Sequence, residues 1–192
     1  MSVVIEQIGP DRLAEYAGVS PEFEVRRALD VIPVRGGLGG LELREAAVGS
    51  PYSKGADEPG DEPACWLEKE KGPWGFFLAR DGDRPVGACA VVINPSAAFL
   101  FERRGELAGL WDIRVAPDRR RQGVGAELLR RAADWARAHG CEQLRIETQN
   151  VNVPACRFYA KQGCVLGSIH RFAYANRPDV AHETMLLWYL DL

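Results

Sequence analysis

Residues 119–125 read Arg-Arg-Arg-Gln-Gly-Val-Gly. Three guanidinium groups run straight into backbone that lacks side chains at Gly123 and Gly125. An apolar pattern with helical spacing starts at Val124 and recurs at Leu128, Leu129, Ala132, Trp135 and Ala136, with Arg130, Arg131, Asp134 and Arg137 on the other side. A loop that runs into a helix N-terminus is an anion site. The first helical N–H groups have no intrahelical partner, and the helix dipole adds about half a positive charge there. Bare backbone lets a ligand reach the amides of Gln122, Gly123, Val124, Gly125 and Ala126, while Arg120 and Arg121 add charge-assisted contacts. A di- or triphosphate-like group fits this chemistry. Taken alone, the stretch also reads as a basic surface loop with a glycine turn.

Two common phosphate motifs do not fit. A Walker loop needs Gly-Lys-Ser/Thr, which is absent. A dinucleotide fingerprint needs its glycines directly after a strand, whereas Val115 and Gly123 are separated by a longer loop.

The elements that must position the loop lie on both sides of it. LWDIRVAP (110–117) reads as a strand stopped by a proline, and the helix after the loop closes at Gly140. Residues 75–82 and 84–93 form two strands with Asp81-Gly82 in the connection, a hairpin signal. Residues 143–148 read as a strand. Residues 154–163 read as a short helix with Pro154 at its start and Gly163 at its end. CVLGSIHRFAYA and ETMLLWYLDL read as closing strands. Towards the N-terminus, residues 3–8 suggest a strand and 10–16 a helix. Residues 21–33 mix both signals, 35–40 are a glycine-rich turn, and 41–48 are ambiguous between strand and short helix. Residues 49–63, rich in Gly, Pro and acidic side chains, read as a loop.

The hexad RRQGVG (120–125) has the pattern R-x-x-G-x-G, and NVPACRFY (152–159), closed by Gly163, has the pattern N-x-x-A-x-x-F-Y. In that order and spacing the two resemble the signatures of the GNAT superfamily of N-acetyltransferases, clearly over residues 75–192 and more weakly before. The resemblance implies an α/β (α+β) fold: a central, mixed, mostly antiparallel twisted sheet flanked by helices, its central strands splaying apart so that acetyl-CoA lies in the gap. It implies one acetyltransferase domain over 1–192, with 1–74 the more variable acceptor side and 75–192 the acetyl-CoA-binding core. The same resemblance assigns the cofactor-binding positions to Ile113, Arg114 and Val115, to Arg120 through Ala126, and to Asn152, Ala155, Phe158 and Tyr159. Backbone groups of Ile113 and Val115 would hold the pantetheine arm, and the Asn152 side chain would brace it.

Acetyl transfer to an amine needs a base, because an amine with a pKa of about 10.4 is almost wholly protonated near neutrality. Glu147 matches the catalytic glutamate of the ribosomal-protein alanine acetyltransferase branch. Asp112 resembles an aspartate of some aminoglycoside acetyltransferases, and strand alternation places it opposite Ile113 and Val115. Each carboxylate has an alternative as the partner of a nearby arginine, Arg114 or Arg145. Tyr159 falls on the tyrosine of the second signature, where a phenol would protonate the leaving thiolate. Cys156 and Cys164 lie near this segment, but the sequence offers no matched base for a thiol nucleophile.

Within the superfamily, WDIRVAPDRRRQGVG, ETQNVNVPACRFYAKQG, YAN and LWYLDL look like the streptothricin acetyltransferases, as do PEFEV and PYSK. Such enzymes acetylate an amine of the β-lysine tail of streptothricin. The acidic residues Asp57, Glu58, Asp61 and Glu62 could concentrate a cationic acceptor. The stretch 94–110 is long for that branch. Trp74, Phe76, Trp111 and Tyr174 are candidates to line an acceptor pocket, or ordinary core aromatics. Other amines (a protein N-terminus, a lysine, a polyamine) and a non-catalytic coenzyme A-binding protein are the competing readings.

Bulk composition bounds the rest. The chain has 192 residues, 46% of them hydrophobic and 27% charged, with a net charge of -3. That balance disfavours disorder and a nucleic-acid-binding surface. The five cysteines form no CxxC pair and the three histidines show no metal spacing, so neither a disulfide framework nor a metal is expected. No apolar run is long enough for a bilayer and the N-terminus has no signal-peptide pattern, so a cytoplasmic enzyme with a small-molecule amine partner is expected, without nucleic acid or membrane. Homodimers are common in the superfamily, though nothing in the sequence marks an interface.

Overall fold

In the computed structural model of the chain, the described residues are 3–56, 59–93 and 107–192. Most of the long stretch 94–110, together with Asp57 and Glu58, lies outside them. The contacts divide the chain into two compact units that do not follow chain order. One contains residues up to Glu22, Gly55–Arg145 and the last two residues; the other contains Phe23–Lys54 and Ile146–Leu190.

The first unit is built on antiparallel strands in the order β1 (Val4–Ile8), β4 (Trp74–Asp81), β5 (Arg84–Ile93) and β6 (Leu107–Val115). β4 and β5 are almost continuously buried, as expected of strands covered on both faces. Helix α3 (Val124–Ala138) covers one face with Val124, Leu128, Leu129, Ala132, Ala133 and Ala136. Gly87 makes that close packing possible: a Cβ there would come within 2.9 Å of both Leu128 and Val124. Two short helices, α1 (Leu13–Ala17) and α2 (Trp66–Lys69), bring Tyr16 and Trp66 into a cluster with Phe76, Leu78, Ala88 and Ala90. Trp74 and Trp111 pack against this cluster, and Trp74 stacks on Phe76 at 5.3 Å. Burying a side chain of this size stabilises by about 2–3 kcal/mol, so core packing accounts for the aromatics of this unit.

The second unit contains a two-stranded ribbon of β2 (Phe23–Pro33) and β3 (Leu41–Lys54), paired from Phe23 opposite Lys54 to Pro33 opposite Leu41. The glycine-rich turn expected at 35–40 joins them. Strand β9 (Met185–Asp191) lies between β7 (Gln143–Gln149), whose residues from Ile146 belong to this unit, and β8 (Val165–His170). Helix α4 (Val153–Lys161) buries Val153, Cys156 and Tyr159. Asn150 ties three segments together. Its backbone and side chain bond Leu29 of β2, and its Oδ1 accepts the Thr184 N–H at 2.8 Å.

Two expectations are corrected here: the strand expected over 164–175 stops at His170 and gives way to turns, and the loop expected over 49–63 is in part strand. Residues 49–54 are not loop but the end of β3, and the ambiguous 41–48 is its beginning. Gly49 and Pro51 sit where the ribbon slips register: Val25 faces Tyr52 but Arg27 faces Ala47. A bulge tolerates the residues that a regular strand excludes. Among the described residues, no helix is long and apolar enough to cross a membrane.

Candidate active site

The basic loop of the first unit folds against the end of β6. Ala116 N–H donates to the Val86 carbonyl, and a single helical turn over Pro117–Arg119 leads into the arginines. Arg120 does not project freely. Its guanidinium donates to the Val115 carbonyl at 2.9 Å and to the Glu22 carbonyl at 2.6 Å, bracing the loop against the chain before β2. Arg119 pairs with Asp81, and Arg84 forms a two-pronged pair with Asp118 at 2.8 Å on each oxygen. The hydrogen bonds from Arg84, and then its charge, hold the Asp118 carboxyl below its ordinary value.

These contacts leave the far end of the loop open. Arg121 is exposed and pairs with no carboxylate among the described residues. Its φ of 62° lies in the left-handed region, which costs a non-glycine residue about 1 kcal/mol and often marks a functional turn. Gly123 follows with φ of 90° as the N-cap of α3, and no side chain caps the helix. Its exposed backbone faces open space, and a Cβ there would meet nothing within 4 Å. An uncapped helix N-terminus beside an unpaired arginine suits a pyrophosphate.

Asp112 is placed differently. Its carboxylate accepts the Tyr16 hydroxyl at 2.5 Å and pairs with Arg114 at 2.8 Å. The Arg114 guanidinium is buried, lies over the Tyr16 and Trp66 rings, and donates to the Val19 carbonyl at 3.2 Å. Burial, and then the Asp112 charge, raise the Tyr16 phenol well above its ordinary value. Asp112 and Arg114 thus form a pair inside the aromatic cluster of α1 and α2, and the Arg114 side chain is spent there. Ile113, between them, alternates to the other face of β6.

In the second unit Asn152 is the N-cap of α4, and its Oδ1 accepts the Ala155 N–H at 3.2 Å. Tyr159 is only 5% exposed, with Phe158 at 5.3 Å and Trp188 at 6.4 Å between ring centres. Glu147, on β7, is half-buried and accepts the Tyr174 hydroxyl at 2.8 Å; Gln149 in turn donates to that hydroxyl at 3.1 Å. Burial, followed by the Glu147 charge, pushes the Tyr174 phenol far up, so it stays protonated and donates to Glu147. Tyr174 is therefore the partner of a candidate base. Burial raises the Cys156 thiol to about 12 and the Cys164 thiol to about 11, so neither supplies a thiolate near neutrality.

Sequence reasoning missed one group altogether. Glu183, 2% exposed, pairs with Lys54 at 2.6 Å. The two lie 129 residues apart, and although Lys54 ends the PYSK stretch, nothing in the sequence links it to Glu183. Asp61 and Glu62, the described part of the acidic run, are engaged locally: Asp61 pairs with Lys69, and Glu62 accepts the Gly60 N–H. Among the described residues, no group of three or more His, Cys, Asp or Glu could hold a metal ion.

Comparison with known proteins gives the family. The acetyltransferase (GNAT) family model matches residues 41–164. The chain is 33% identical to a streptothricin acetyltransferase of Escherichia coli, over 94% of this chain and 91% of the relative. It is 42% identical to streptothricin acetyltransferase A of Bacillus subtilis, over 76% of each. The crystal structure of a nourseothricin acetyltransferase superposes with a TM-score of 0.76 at 23% identity, covering 100% of this chain and 99% of that one. A Bacillus anthracis protein solved in complex with acetyl coenzyme A superposes with a TM-score of 0.77 at 24% identity, over 100% and 98%. The family match and the near full-length relatives identify the chain as a member of the acetyltransferase (GNAT) family, an α/β acetyltransferase with a mostly antiparallel sheet flanked by helices.

Proposed function

We propose that the protein transfers the acetyl group of acetyl-CoA directly to a primary amine of a small cationic acceptor, the β-lysine moiety of streptothricin. One observation carries the reading: the match to a streptothricin acetyltransferase runs over nearly the whole of both chains. The fold neighbour solved with acetyl coenzyme A supports the choice of donor.

The residues fit acetyl-CoA. Arg121 and the N–H groups of Gln122–Ala126 would bind its pyrophosphate, because Gly123 leaves the α3 N-terminus uncapped and accessible. Backbone groups of Ile113 and Val115 would hold the pantetheine arm, although the Val115 carbonyl already accepts from Arg120. Arg120 supports the loop, and Asn152 and Ala155 set the start of α4. Acetyl-CoA brings a thioester, an acyl group activated towards amines.

Glu147 is the base. It is half-buried on β7 and oriented by Tyr174, and it removes the acceptor's proton directly or through water. Asp112, committed to Tyr16 and Arg114, is a structural carboxylate in this reading. Tyr159 protonates the departing thiolate. With Cys156 and Cys164 held as thiols, transfer proceeds without an acyl-cysteine.

The test is a panel of amines, read by release of the free thiol of coenzyme A: streptothricin, lysine, a polyamine and a peptide beginning with alanine. The peptide belongs in the panel because the chain is also 27% identical, over 138 residues, to the alanine N-acetyltransferase of ribosomal protein bS18 from Salmonella typhimurium. Streptothricin is expected to give the highest kcat/KM. A preference for the peptide would move the acceptor assignment and leave the donor unchanged. Binding of acetyl-CoA with no turnover on any amine would reduce the chain to a coenzyme A-binding protein.

A further inference from the structure

Glu183 stands just before β9 with 2% of its surface exposed. A carboxylate so enclosed needs a cation nearby, because desolvating an unpaired charge costs several kcal/mol. Lys54, the last residue of β3, supplies it by donating to Oε1 at 2.6 Å. The other oxygen, Oε2, is buried and has no hydrogen-bond partner among the described residues. His182 Nε2 lies 4.0 Å from Oε1 and does not serve Oε2. A buried carboxylate with one oxygen paired and one orphaned is an incomplete site, since such groups are otherwise almost always satisfied.

The missing partner has a definite chemistry. It must bring a hydrogen-bond donor, and a positively charged N–H group is the strongest donor to a carboxylate. A primary alkylammonium has three such donors and is the same group as the Lys54 head. Lys54 is 22% exposed and sits on a flexible four-carbon stem, so its ammonium can give way to another ammonium that compensates the carboxylate in its place. The surroundings agree. Burial and then the Glu183 charge raise the Tyr52 phenol, and the Glu183 charge also acts on Tyr174, the partner of Glu147. Glu183 therefore lies within electrostatic range of the group that orients the proposed base.

We propose that the Glu183 carboxylate holds a second, non-reacting ammonium group of the acceptor, which displaces the Lys54 ammonium from Oε1 and also supplies the donor that Oε2 lacks. The inference rests on the amine acetyltransferase reading and deepens it: the preferred substrates carry two primary amines, one kept charged at Glu183 while Glu147 deprotonates the other. Monoamines would leave Lys54 in place and forgo this contact.

Two experiments test it, and the first needs no turnover. Lys54→Met removes the resident ammonium, and 1,5-diaminopentane is added as a substitute. The diamine is expected to raise the Tm of Lys54→Met by about 3 °C or more, with a much smaller shift in the unmodified protein and none in Lys54→Met/Glu183→Gln. Equal shifts in all three proteins would overturn the proposal. The second experiment uses Glu183→Gln, which keeps the shape and removes the buried charge. Its KM for streptothricin is expected to rise about tenfold or more, with the KM for acetyl-CoA unchanged within about twofold. An unchanged KM for streptothricin would overturn the proposal even if turnover is normal. Absence of streptothricin acetylation by the unmodified enzyme would instead defeat the acceptor assignment, leaving the diamine rescue to decide the ammonium site.

Discussion

In the proposed mechanism Tyr159 and Glu147 move protons in opposite directions. Tyr159 sits on the buried face of α4 beside Phe158 and Trp188. Tyr159→Phe keeps that packing and removes the proton, so kcat is expected to fall by about 10²–10⁴-fold while acetyl-CoA affinity, measured by calorimetry, stays the same. An unchanged kcat would remove the acid role. The two carboxylates separate in the same way. Glu147→Gln is expected to lower kcat by about 10²-fold or more with little change in Tm. Asp112→Asn strips a charge from the buried Arg114 and is expected to cost about 2 kcal/mol of stability by denaturant titration, with kcat nearly unchanged in the folded protein. The opposite pattern would exchange their roles. Both carboxylates were legible as candidates from their neighbours in sequence. What distinguishes them was not, because the Tyr16 hydroxyl reaches Asp112 across 96 positions.

At the scale of elements, the loop and α3 act as one device. Gly123 adopts φ of 90°, so Gly123→Ala is expected to cost about 1 kcal/mol of stability through backbone strain alone, since the added Cβ meets open space. Arg121→Ala is expected to raise the KM for acetyl-CoA about tenfold, with smaller effect at high salt and almost none on Tm. Arg120→Ala is expected to do the reverse, lowering Tm first, because its guanidinium holds two backbone carbonyls. Equal effects of the two arginines on KM and Tm would contradict this division of labour. The uncapped, glycine-started α3 was legible from residue types alone, since glycine backbone and helix periodicity are local; its role as an anion site is part of the proposal. The motif did not announce that one arginine is a brace, because Glu22 is distant in sequence. The strands β4, β5 and β6 were equally legible, being apolar runs bounded by turns. The ribbon of β2 and β3 was not. β3 alternates poorly between buried and exposed positions, and its Gly49-Ser50-Pro51 bulge carries loop composition inside a strand. Strand pairing there depends on β2, which its own sequence leaves ambiguous.

For the whole molecule, the titrating groups set a window of stability. Paired arginines hold Glu6, Glu45, Asp118 and Glu127 below their ordinary carboxyl values. A depressed carboxyl contributes stability above its unfolded pKa, about 4, and loses it as pH falls through the folded value. Tyr16 and Tyr174 are raised, so their contribution is present below the ordinary phenol value of about 10 and is lost as pH rises above it. Tm is expected to be flat from about pH 5 to 9 and to fall on both sides, with the acid limb weakened by salt because those carboxylates are exposed. A Tm that kept rising into alkali would contradict the arrangement of the two phenols.

The central claim is chemical, and mass spectrometry of the product tests it most directly. The protein is incubated with acetyl-CoA and streptothricin, and the antibiotic is fragmented to locate any added acetyl group. The account predicts enzyme-dependent monoacetylation on the β-lysine moiety, with free coenzyme A formed in equal amount. Unmodified streptothricin, in a sample whose acetyl-CoA is bound but intact, would contradict it.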